Sequence, residues 1–148
     1  MTERVELAFK EFSERATPQR REIADRIVAF GEKGQGFTAE MLLAKLRDDN
    51  AGIGRATVYR VIEKLVQCKV LDRIEIAEGE RLYRLCRNEG HHHHLVCKDC
   101  HRVVEFEMCL PKAEIERVSR RAGFVIEEHE ITLFGLCDRC RSSRPAVV

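Results

Sequence analysis

The sequence predicts an α+β protein, with an N-terminal winged helix-turn-helix unit followed by a C-terminal α/β unit. Three observations predict this fold class. Amphipathic helices precede two short strands in the first half, short strands flank one helix in the second half, and the composition changes between the halves. All six histidines and five of the seven cysteines follow residue 90. The change of composition indicates two halves that meet near residues 86–90, and we predict units at residues 1–85 and 95–148 with a hinge at residues 86–94 between them.

The spacing of apolar residues predicts four helices in the first unit. Thr17 and Pro18 form a cap and a first position typical of a helix start, and we expect Gly31 to end that helix. Thr38 is expected to cap the next helix, which the loop at residues 48–54 interrupts. The predicted helices cover residues 2–13, 18–30, 39–47 and 55–67.

Short apolar stretches predict the strands. In the first unit, residues 70–76 and 81–85 flank a turn at residues 77–80, which indicates a hairpin. Three helices followed by a hairpin are the order of a winged helix-turn-helix. In the second unit we predict a helix at residues 110–121, and strands at residues 95–96, 103–106, 124–126 and 131–134.

Length and composition narrow the function classes. With 148 residues, 44% hydrophobic and 34% charged, the chain can form a core, which excludes a disordered or fibrous protein. The 26 basic and 25 acidic residues give a net charge of +1, so contact with nucleic acid requires a local basic patch. We find neither an apolar run of the ~20 residues that span a bilayer nor a signal peptide. We therefore expect a cytoplasmic protein without a membrane partner.

Two CxxC pairs, Cys97 with Cys100 and Cys137 with Cys140, predict a structural zinc site. Each pair places two sulfur atoms on one side of a tight turn, and two such turns supply four thiolates in a tetrahedron, which suits Zn²⁺. An odd number of cysteines in a reducing compartment favours metal binding over disulfides. A thioredoxin-like redox pair is the alternative, but it leaves the second matched pair unexplained.

Four consecutive histidines, at residues 91–94, predict two further metal sites. In an extended segment alternate side chains face opposite sides, so His92 and His94 point one way. By the same alternation His91 and His93 point the other way. Two neutral imidazoles on one face can bind one metal ion together, provided that other residues complete the site. A solvated polar loop and an internal affinity tag are the alternatives.

Acidic residues, cysteines and one more histidine are candidates for completing these sites. Asp72 and Cys86 approach one another across the predicted hairpin, and Cys86 precedes the histidine run. A buried apolar cysteine is the alternative for Cys86, and a plain surface histidine is the alternative for His129. We expect Cys68 and Cys109 to be core cysteines. The full set of candidates is Asp72, Cys86, Glu105, Glu107, Glu114 and His129.

The start of the fourth helix carries the features of a DNA recognition helix. Residues 55–73 hold five basic and two acidic side chains, a local surplus on a nearly neutral chain. The side chains expected on the exposed face of this helix are Arg55, Thr57, Tyr59 and Arg60. Such a mixture suits base edges and phosphates in the major groove, although an ordinary amphipathic helix with a solvated face is the alternative. Further phosphate or minor-groove contacts are expected from Arg15, Arg20 and Arg21.

Together these motifs resemble the ferric uptake regulator (Fur) family of bacterial metal-sensing repressors. The resemblance extends from Thr17 to Cys140, and its most specific parts are ATVYRVIEKL at residues 56–65 and HHHHLVCKDC at residues 91–100. It implies a winged-helix domain hinged to a dimerisation domain, a homodimer, and double-stranded operator DNA as the partner. The residues that it assigns to DNA contact are Arg15 in a minor-groove arm, and Tyr59 and Arg60 in the recognition helix.

The hinge distinguishes the branches of this family. Iron-sensing members have a histidine where this chain has Gly36 and a glutamate where it has Arg84. The peroxide-sensing branch also needs carboxylates where this chain has Arg84. A thiolate with imidazoles suits Zn²⁺ over Fe²⁺, and this hinge resembles that of the zinc uptake regulator (Zur) branch. The regulatory ligands that this resemblance implies are Asp72, Cys86, His92 and His94.

The resemblance implies two further metal sites. One is the structural zinc site. The other combines histidines with a glutamate, whose aligned position in this chain is Lys112. Glu105, Glu107 or Glu114 can replace that glutamate, and Glu105 is the one we assign. The implied ligand sets are Cys97, Cys100, Cys137 and Cys140 for structural zinc, and His91, His93, Glu105 and His129 for the third site.

The predicted function is a homodimeric, zinc-responsive transcriptional repressor that binds palindromic operators when the hinge site is filled. Zn²⁺ is the predicted structural and regulatory metal, and Fe²⁺ or Mn²⁺ is the alternative at the regulatory site. The alternative functions are an iron- or peroxide-responsive regulator of the same family, metal storage, and a zinc enzyme. We expect neither an enzyme nor a small-molecule substrate, because the chain lacks HExxH and the HxE pattern of zinc deaminases.

Overall fold

The computed structural model describes residues 3, 5, 7, 8, 17–48, 52–76, 79–87 and 90–143, and it confirms the predicted α+β class. Within these ranges no helix has both the length and the apolar character that crossing a membrane requires. In chain order the elements are α1 (Pro18–Glu32), α2 (Ala39–Asp48), α3 (Arg55–Gln67), β1 (Leu71–Glu75), β2 (Arg81–Leu85), β3 (His93–Cys97), β4 (Val103–Phe106), α4 (Lys112–Ala122), β5 (Thr132–Gly135) and α5 (Asp138–Ser143).

Local capping fixes the helix starts that the sequence predicts. The Thr17 side chain accepts a hydrogen bond from the backbone N–H of Arg20 at 3.4 Å, and Pro18 occupies the first turn of α1. The hydroxyl of Thr38 accepts from the backbone N–H of Met41 at 3.2 Å at the start of α2. Of the predicted helix at residues 2–13, the structure describes only residues 3, 5, 7 and 8, which are helical.

The first half forms the main core because helices α1–α3 turn their apolar faces towards one another and towards the β1–β2 hairpin. Each large aliphatic side chain that is removed from water in this way contributes about 1.5–3 kcal/mol. The side chains that are fully or almost fully buried here include Ile23 and Ile27 of α1, Leu42 and Leu46 of α2, Ile62 and Leu65 of α3, and Phe37.

Gly31 has a different role from the predicted one. It lies inside α1, which continues to Glu32, and the glycine in the left-handed conformation is Gly34, with φ of 62°. Gly31 is buried, and a Cβ atom added to it would overlap the Cδ1 atom of Leu85 in β2. The glycine therefore permits close packing of α1 against the hairpin and does not terminate the helix.

Two sheets organise the strands. β1 and β2 form an antiparallel hairpin in which Asp72 lies opposite Arg84. The second sheet has the order β4–β3–β5, with β4 antiparallel and β5 parallel to the central strand. β3 is therefore the central strand of the second sheet, and His94 lies opposite Glu105 of β4 on one side and Thr132 of β5 on the other.

The predicted strand at residues 124–126 is absent from the single chain. These residues follow the left-handed Gly123 at the end of α4 and have no strand assignment. Phe124 and Val125 are 72% and 87% exposed. Their apolar character predicts a strand, but within the described part of this chain no strand edge pairs with them.

Backbone contacts join the two halves beside the first CxxC turn. The backbone N–H of Gly36 donates to the carbonyl of His101 at 2.8 Å, and the N–H of Val103 donates to the carbonyl of Gly34 at 3.2 Å. A second, smaller core lies between the hairpin and the second sheet. Its buried members are Ile74, Leu82, Val96 and Val103.

We predict that Gly31→Ala lowers the free energy of unfolding by up to about 2 kcal/mol, the overpacking cost less the gain in helix propensity. Overpacking against Leu85 costs about 1–3 kcal/mol, which exceeds the gain of about 1 kcal/mol from the better helix former. Denaturant unfolding of the full chain measures the change. Gly135→Ala is the matched control, since a Cβ atom there meets nothing within 4 Å, and equal stability of the two variants would contradict the packing role.

Candidate metal centres and nucleic-acid interface

The four cysteines of the CxxC pairs lie together. The parallel pairing of β3 and β5 brings Cys97 opposite Gly135, and Cys137 and Cys140 follow at the start of α5. The four sulfur atoms lie within 4.8 Å of one another, and those of Cys100 and Cys137 are 3.7 Å apart. Tetrahedral zinc with Zn–S bonds of about 2.3 Å requires sulfur atoms about 3.8 Å apart, so this arrangement fits the ion.

Backbone amides favour a thiolate in this cluster. Burial by itself raises the pKa of Cys97, but backbone N–H groups of Cys100, Cys137 and Asp99 outweigh burial and lower the pKa to about 6. A hydrogen bond from the backbone N–H of Cys140 lowers the pKa of Cys137. Cys97 and Cys137 therefore favour the deprotonated sulfur that zinc binds. Hydrogen bonds with the sulfur atoms of Cys137 and Cys100 instead raise the pKa of Cys140 to about 12, so zinc has to displace the proton of this thiol.

The hinge cluster draws its ligands from both halves of the chain. Asp72 lies on β1, Cys86 directly follows β2, and His92 directly precedes β3. One ligand atom from each of these three residues lies within 4.8 Å of the other two. His94 joins through the carboxylate, because its Nε2 atom is 3.4 Å from Oδ2 of Asp72, and the Nε2 atom of His92 is 3.3 Å from the same oxygen.

Hydrogen bonds orient the hinge ligands. The Nδ1 atom of His92 lies 2.8 Å from the carbonyl oxygen of Gly90, so it is the protonated nitrogen that donates, and Nε2 faces Asp72. Burial opposes ionisation of Asp72, but a hydrogen bond with His94 and the charge of His92 lower the pKa of this carboxyl. Burial opposes protonation of His92, but the Gly90 carbonyl and the Asp72 carboxylate raise the pKa of this ring. Metal binding requires neutral imidazoles, so a metal ion competes with a proton on His92.

A third cluster contains His91, His93, Cys109 and His129. The Nε2 atom of His91 is 3.2 Å from that of His93 and 3.1 Å from that of His129, and Sγ of Cys109 is 2.8 Å from Nε2 of His129. Cys109, which we expected in the core, is thus beside the histidines. The backbone N–H of Ile131 donates to Nδ1 of the fully buried His93, so the neutral ring carries its proton on Nε2, which a metal ion would have to displace.

The structure does not bring Glu105 to the third cluster. Its carboxylate lies 2.8 Å from the guanidinium of Arg84 and accepts from the backbone N–H of Arg87 at 3.1 Å. The other replacements considered from the sequence are also outside the described cluster. Glu114 pairs with Arg117, and Lys112, 90% exposed at its side chain, lies near Glu116 on α4. No pattern in the sequence around Cys109 indicated that it belongs to the third cluster.

The N-terminal turn of α3 presents a polar, partly basic surface. Arg55 and Arg60 are exposed, whereas Thr57 and Tyr59 are half-buried. Glu40 of α2 holds this surface, since its carboxylate lies 2.5 Å from the Arg55 guanidinium and accepts from the Tyr59 hydroxyl at 3.2 Å.

The basic surface continues towards α1. A shallow depression beside the start of α3 is lined by side chains of both helices, which brings basic residues of α1 close to the predicted recognition helix. Arg15 lies outside the described residues, and Arg21 is exposed on α1. The residues that line the depression include Arg20, Thr57, Arg60 and Lys64.

A winged helix with a basic helix start, joined to clusters of thiolate and imidazole side chains, defines a DNA-binding, metal-responsive transcription regulator. Residues 11–134 match the sequence profile of the Ferric uptake regulator family. The chain belongs to this family, and it is a transcription regulator and not an enzyme.

Individual relatives agree with this assignment. The ferric uptake regulation protein of Bacillus subtilis is 36% identical over 141 residues, which cover 93% of each chain. The crystal structure of the Vibrio cholerae ferric uptake regulator superposes with a TM-score of 0.62 at 30% identity, over 88% of this chain and 98% of that one. A zinc-bound manganese uptake regulator superposes with a TM-score of 0.63 at 28% identity, over 90% of this chain and 98% of that one.

The sulfur geometry predicts that the Cys97→Ser variant binds one equivalent of zinc less than the unmodified chain. We also expect its second half to unfold. A four-cysteine site contributes an apparent ~10–16 kcal/mol of folding free energy, and α4 and α5 bury no residue of their own. Zinc content after dialysis and the circular dichroism of the full chain measure both effects. Cys68→Ser, outside the three described clusters, is the control. Unchanged zinc content and stability of Cys97→Ser would exclude this site.

Proposed function

We propose that the protein is a zinc-responsive repressor that binds palindromic operator DNA as a homodimer when the hinge site is filled. The observation that carries this proposal is the hinge cluster, in which Asp72, Cys86 and His92 meet at the junction of the two halves. An ion bound there bridges the winged helix and the second sheet. It can therefore favour one arrangement of the halves over others.

The donor set supports zinc as the regulatory metal. Cys86 offers a thiolate, and His92 and His94 offer imidazoles, so three of the four proposed ligands are of the softer kind that Zn²⁺ binds well. Only Asp72 supplies a hard oxygen donor. A manganese- or iron-responsive regulator is the alternative, since relatives include ferric uptake regulation proteins and a manganese uptake regulator.

The four-cysteine cluster is proposed as a permanent structural zinc site, because its four thiolates leave no position open. The third cluster is proposed as a further metal site of His91, His93, Cys109 and His129. Cys109 takes the role that we predicted for Glu105.

An exposed apolar row supports a homodimer. Leu95 lies between Val104 and Leu133 across the three strands of the second sheet, and all three side chains are more than 40% exposed. Phe124 and Val125 are further exposed apolar side chains of the same half. A contiguous apolar patch of this kind is typical of a protein interface, and a second copy of the chain covers it in the proposed dimer.

Operator binding is assigned to α3 and its surroundings. The N-terminal turn of α3 enters the major groove in this proposal, with Arg55, Thr57, Tyr59 and Arg60 towards the DNA and Arg20 towards the phosphates. Arg15 is proposed for a minor-groove contact. The protein is expected to act in the cytoplasm, and its DNA affinity should fall steeply with salt concentration.

We predict that Cys86→Ala abolishes zinc-dependent operator binding and leaves a folded dimer. Removal of the thiolate takes away one of two anionic hinge ligands, while the four-cysteine cluster is untouched. The measurement is an operator gel shift at buffered Zn²⁺, Fe²⁺ and Mn²⁺, using a duplex selected from a random pool, together with the metal content of each protein.

Cys68→Ala is the matched control and should bind as the unmodified chain does. If Cys86→Ala binds the operator normally at limiting zinc, the hinge is not the regulatory site. If the unmodified chain binds the operator at a lower free concentration of Fe²⁺ or Mn²⁺ than of Zn²⁺, the protein does not respond to zinc but to that other metal.

Tyr59→Phe is predicted to weaken operator binding by about 0.5–1.5 kcal/mol, the net value of one hydrogen bond, with little effect on non-specific DNA. The hydroxyl is the only group removed, and in this proposal it exchanges its hydrogen bond with Glu40 for one with a base. Arg60→Ala is the comparison, because loss of a cation should weaken binding to both DNAs. Equal losses on both DNAs for Tyr59→Phe would remove its hydroxyl from base recognition.

A further inference from the structure

A second carboxylate, that of Glu105, faces the hinge cluster without being one of its predicted ligands. Glu105 lies directly opposite His94 in the β3–β4 pair, and side chains of directly opposed residues lie on the same face of a sheet. Its side chain is only 14% exposed. A carboxylate in this position can become a ligand of an ion bound by His92 and His94 if it is released to do so.

Arg84 holds this carboxylate. Its guanidinium lies 2.8 Å from the Oε1 atom of Glu105, and the side chain of Arg84 is 6% exposed. Arg84 lies opposite Asp72 in the hairpin, so it borders the hinge cluster from the other half of the chain.

Arg87, which follows β2, adds further hydrogen bonds around the Arg84–Glu105 pair. The backbone N–H of Arg87 donates to Glu105 at 3.1 Å, and the Arg87 side chain donates to the carbonyl of Gly31 at 2.8 Å. The ion pair is therefore buried, anchored to α1, and adjacent to the proposed ligands.

Charge and ligand hardness give this pair a chemical consequence. Asp72 and a Cys86 thiolate carry two negative charges, which balance one divalent cation when the two histidines are neutral. A free Glu105 would add a third negative charge and a second hard oxygen donor. Oxygen-rich sites with more than four ligands favour Mn²⁺ and Fe²⁺, whereas a four-coordinate site with a thiolate favours Zn²⁺.

We propose that Arg84 is a specificity-determining residue that holds Glu105 outside the coordination sphere of the hinge metal. The pair keeps the site four-coordinate and thereby selects Zn²⁺ against Mn²⁺ and Fe²⁺. This inference rests on the proposed regulatory site in the hinge. A buried ion pair that only fixes the halves to one another is the competing explanation, and it predicts no change of metal preference.

The test compares metal preference in the full chain and in Arg84→Met, with the four-cysteine site filled with zinc. Competition against a chromophoric chelator gives the affinities for Zn²⁺ and Mn²⁺. We expect the ratio of zinc to manganese affinity to fall by about 10- to 100-fold, the range typical of changes around a metal site. Co²⁺ bound at the hinge should change from the intense visible spectrum of a four-coordinate thiolate site to the weak spectrum of a higher-coordinate site.

Three further variants isolate the role of Glu105. Arg84→Lys keeps a cation beside the carboxylate and should retain the zinc preference. Arg84→Met combined with Glu105→Gln removes the released oxygen donor and should restore the four-coordinate spectrum. Glu105→Gln alone, with Arg84 unchanged, should keep both the preference for zinc over manganese and the four-coordinate Co²⁺ spectrum.

The outcomes separate this inference from the proposed function. If the unmodified chain binds no metal through Cys86, the proposed regulatory site itself fails. If the unmodified chain binds there but Arg84→Met keeps its affinity ratio and spectrum, only the selectivity role is overturned. Loss of the four-coordinate spectrum in Glu105→Gln would also overturn the selectivity role, because it would show that Glu105 is already a ligand in the unmodified chain. Loss of hinge binding in both Arg84→Met and Glu105→Gln would overturn it in favour of a purely architectural pair.

Discussion

The alternation of side chains along β3 is the constraint on which the three clusters depend. Successive side chains of a strand face opposite sides of the sheet, so His92 and His94 face the hinge while His91 and His93 face the third cluster. The same strand ends at Cys97, the first ligand of the four-cysteine cluster. A shift of β3 by one residue against its neighbours would exchange the two histidine pairs and separate Cys97 from Cys137. The register of one central strand therefore aligns all of the candidate metal chemistry.

The two halves depend on different sources of stability. Helices α1–α3 bury a continuous aliphatic core, as an ordinary small domain does. Among its described residues, the second half contributes two buried apolar side chains, Val96 and Val103, to the smaller core that it shares with the hairpin, and α4 and α5 bury none. Sulfur–metal bonds, and burial of the exposed apolar row in a dimer, can compensate for this small amount of buried apolar surface. The proposed zinc site and the proposed dimer therefore predict that metal content and oligomeric state are coupled to the folding of this half.

Local patterns predicted most of the fold, and contacts distant in sequence account for what was missed. Thr17, Thr38 and the CxxC pairs act within a few residues, so the sequence identifies them directly. Cys109 was interpreted as a core cysteine because its partner His129 is twenty residues away, across α4. Glu105 was assigned to the wrong group of side chains, since nothing near it in sequence indicates Arg84 as its partner. Gly31 was predicted to end α1, but its true constraint is Leu85, on a strand more than fifty residues later.

Contacts around the hinge also limit how far metal binding can shift the equilibrium between arrangements of the two halves. Contacts that need no metal already join the halves, including the hydrogen bond from Gly36 to His101 and the Arg84–Glu105 pair. These contacts favour the joined arrangement whether or not an ion is bound. A ligand shifts an equilibrium only by its difference in affinity for the two states, so metal adds to a bias that the chain already has. In the proposed mechanism, coupling of the typical ~1–3 kcal/mol is then sufficient for regulation, because an ion at the hinge completes an arrangement that the backbone has largely set.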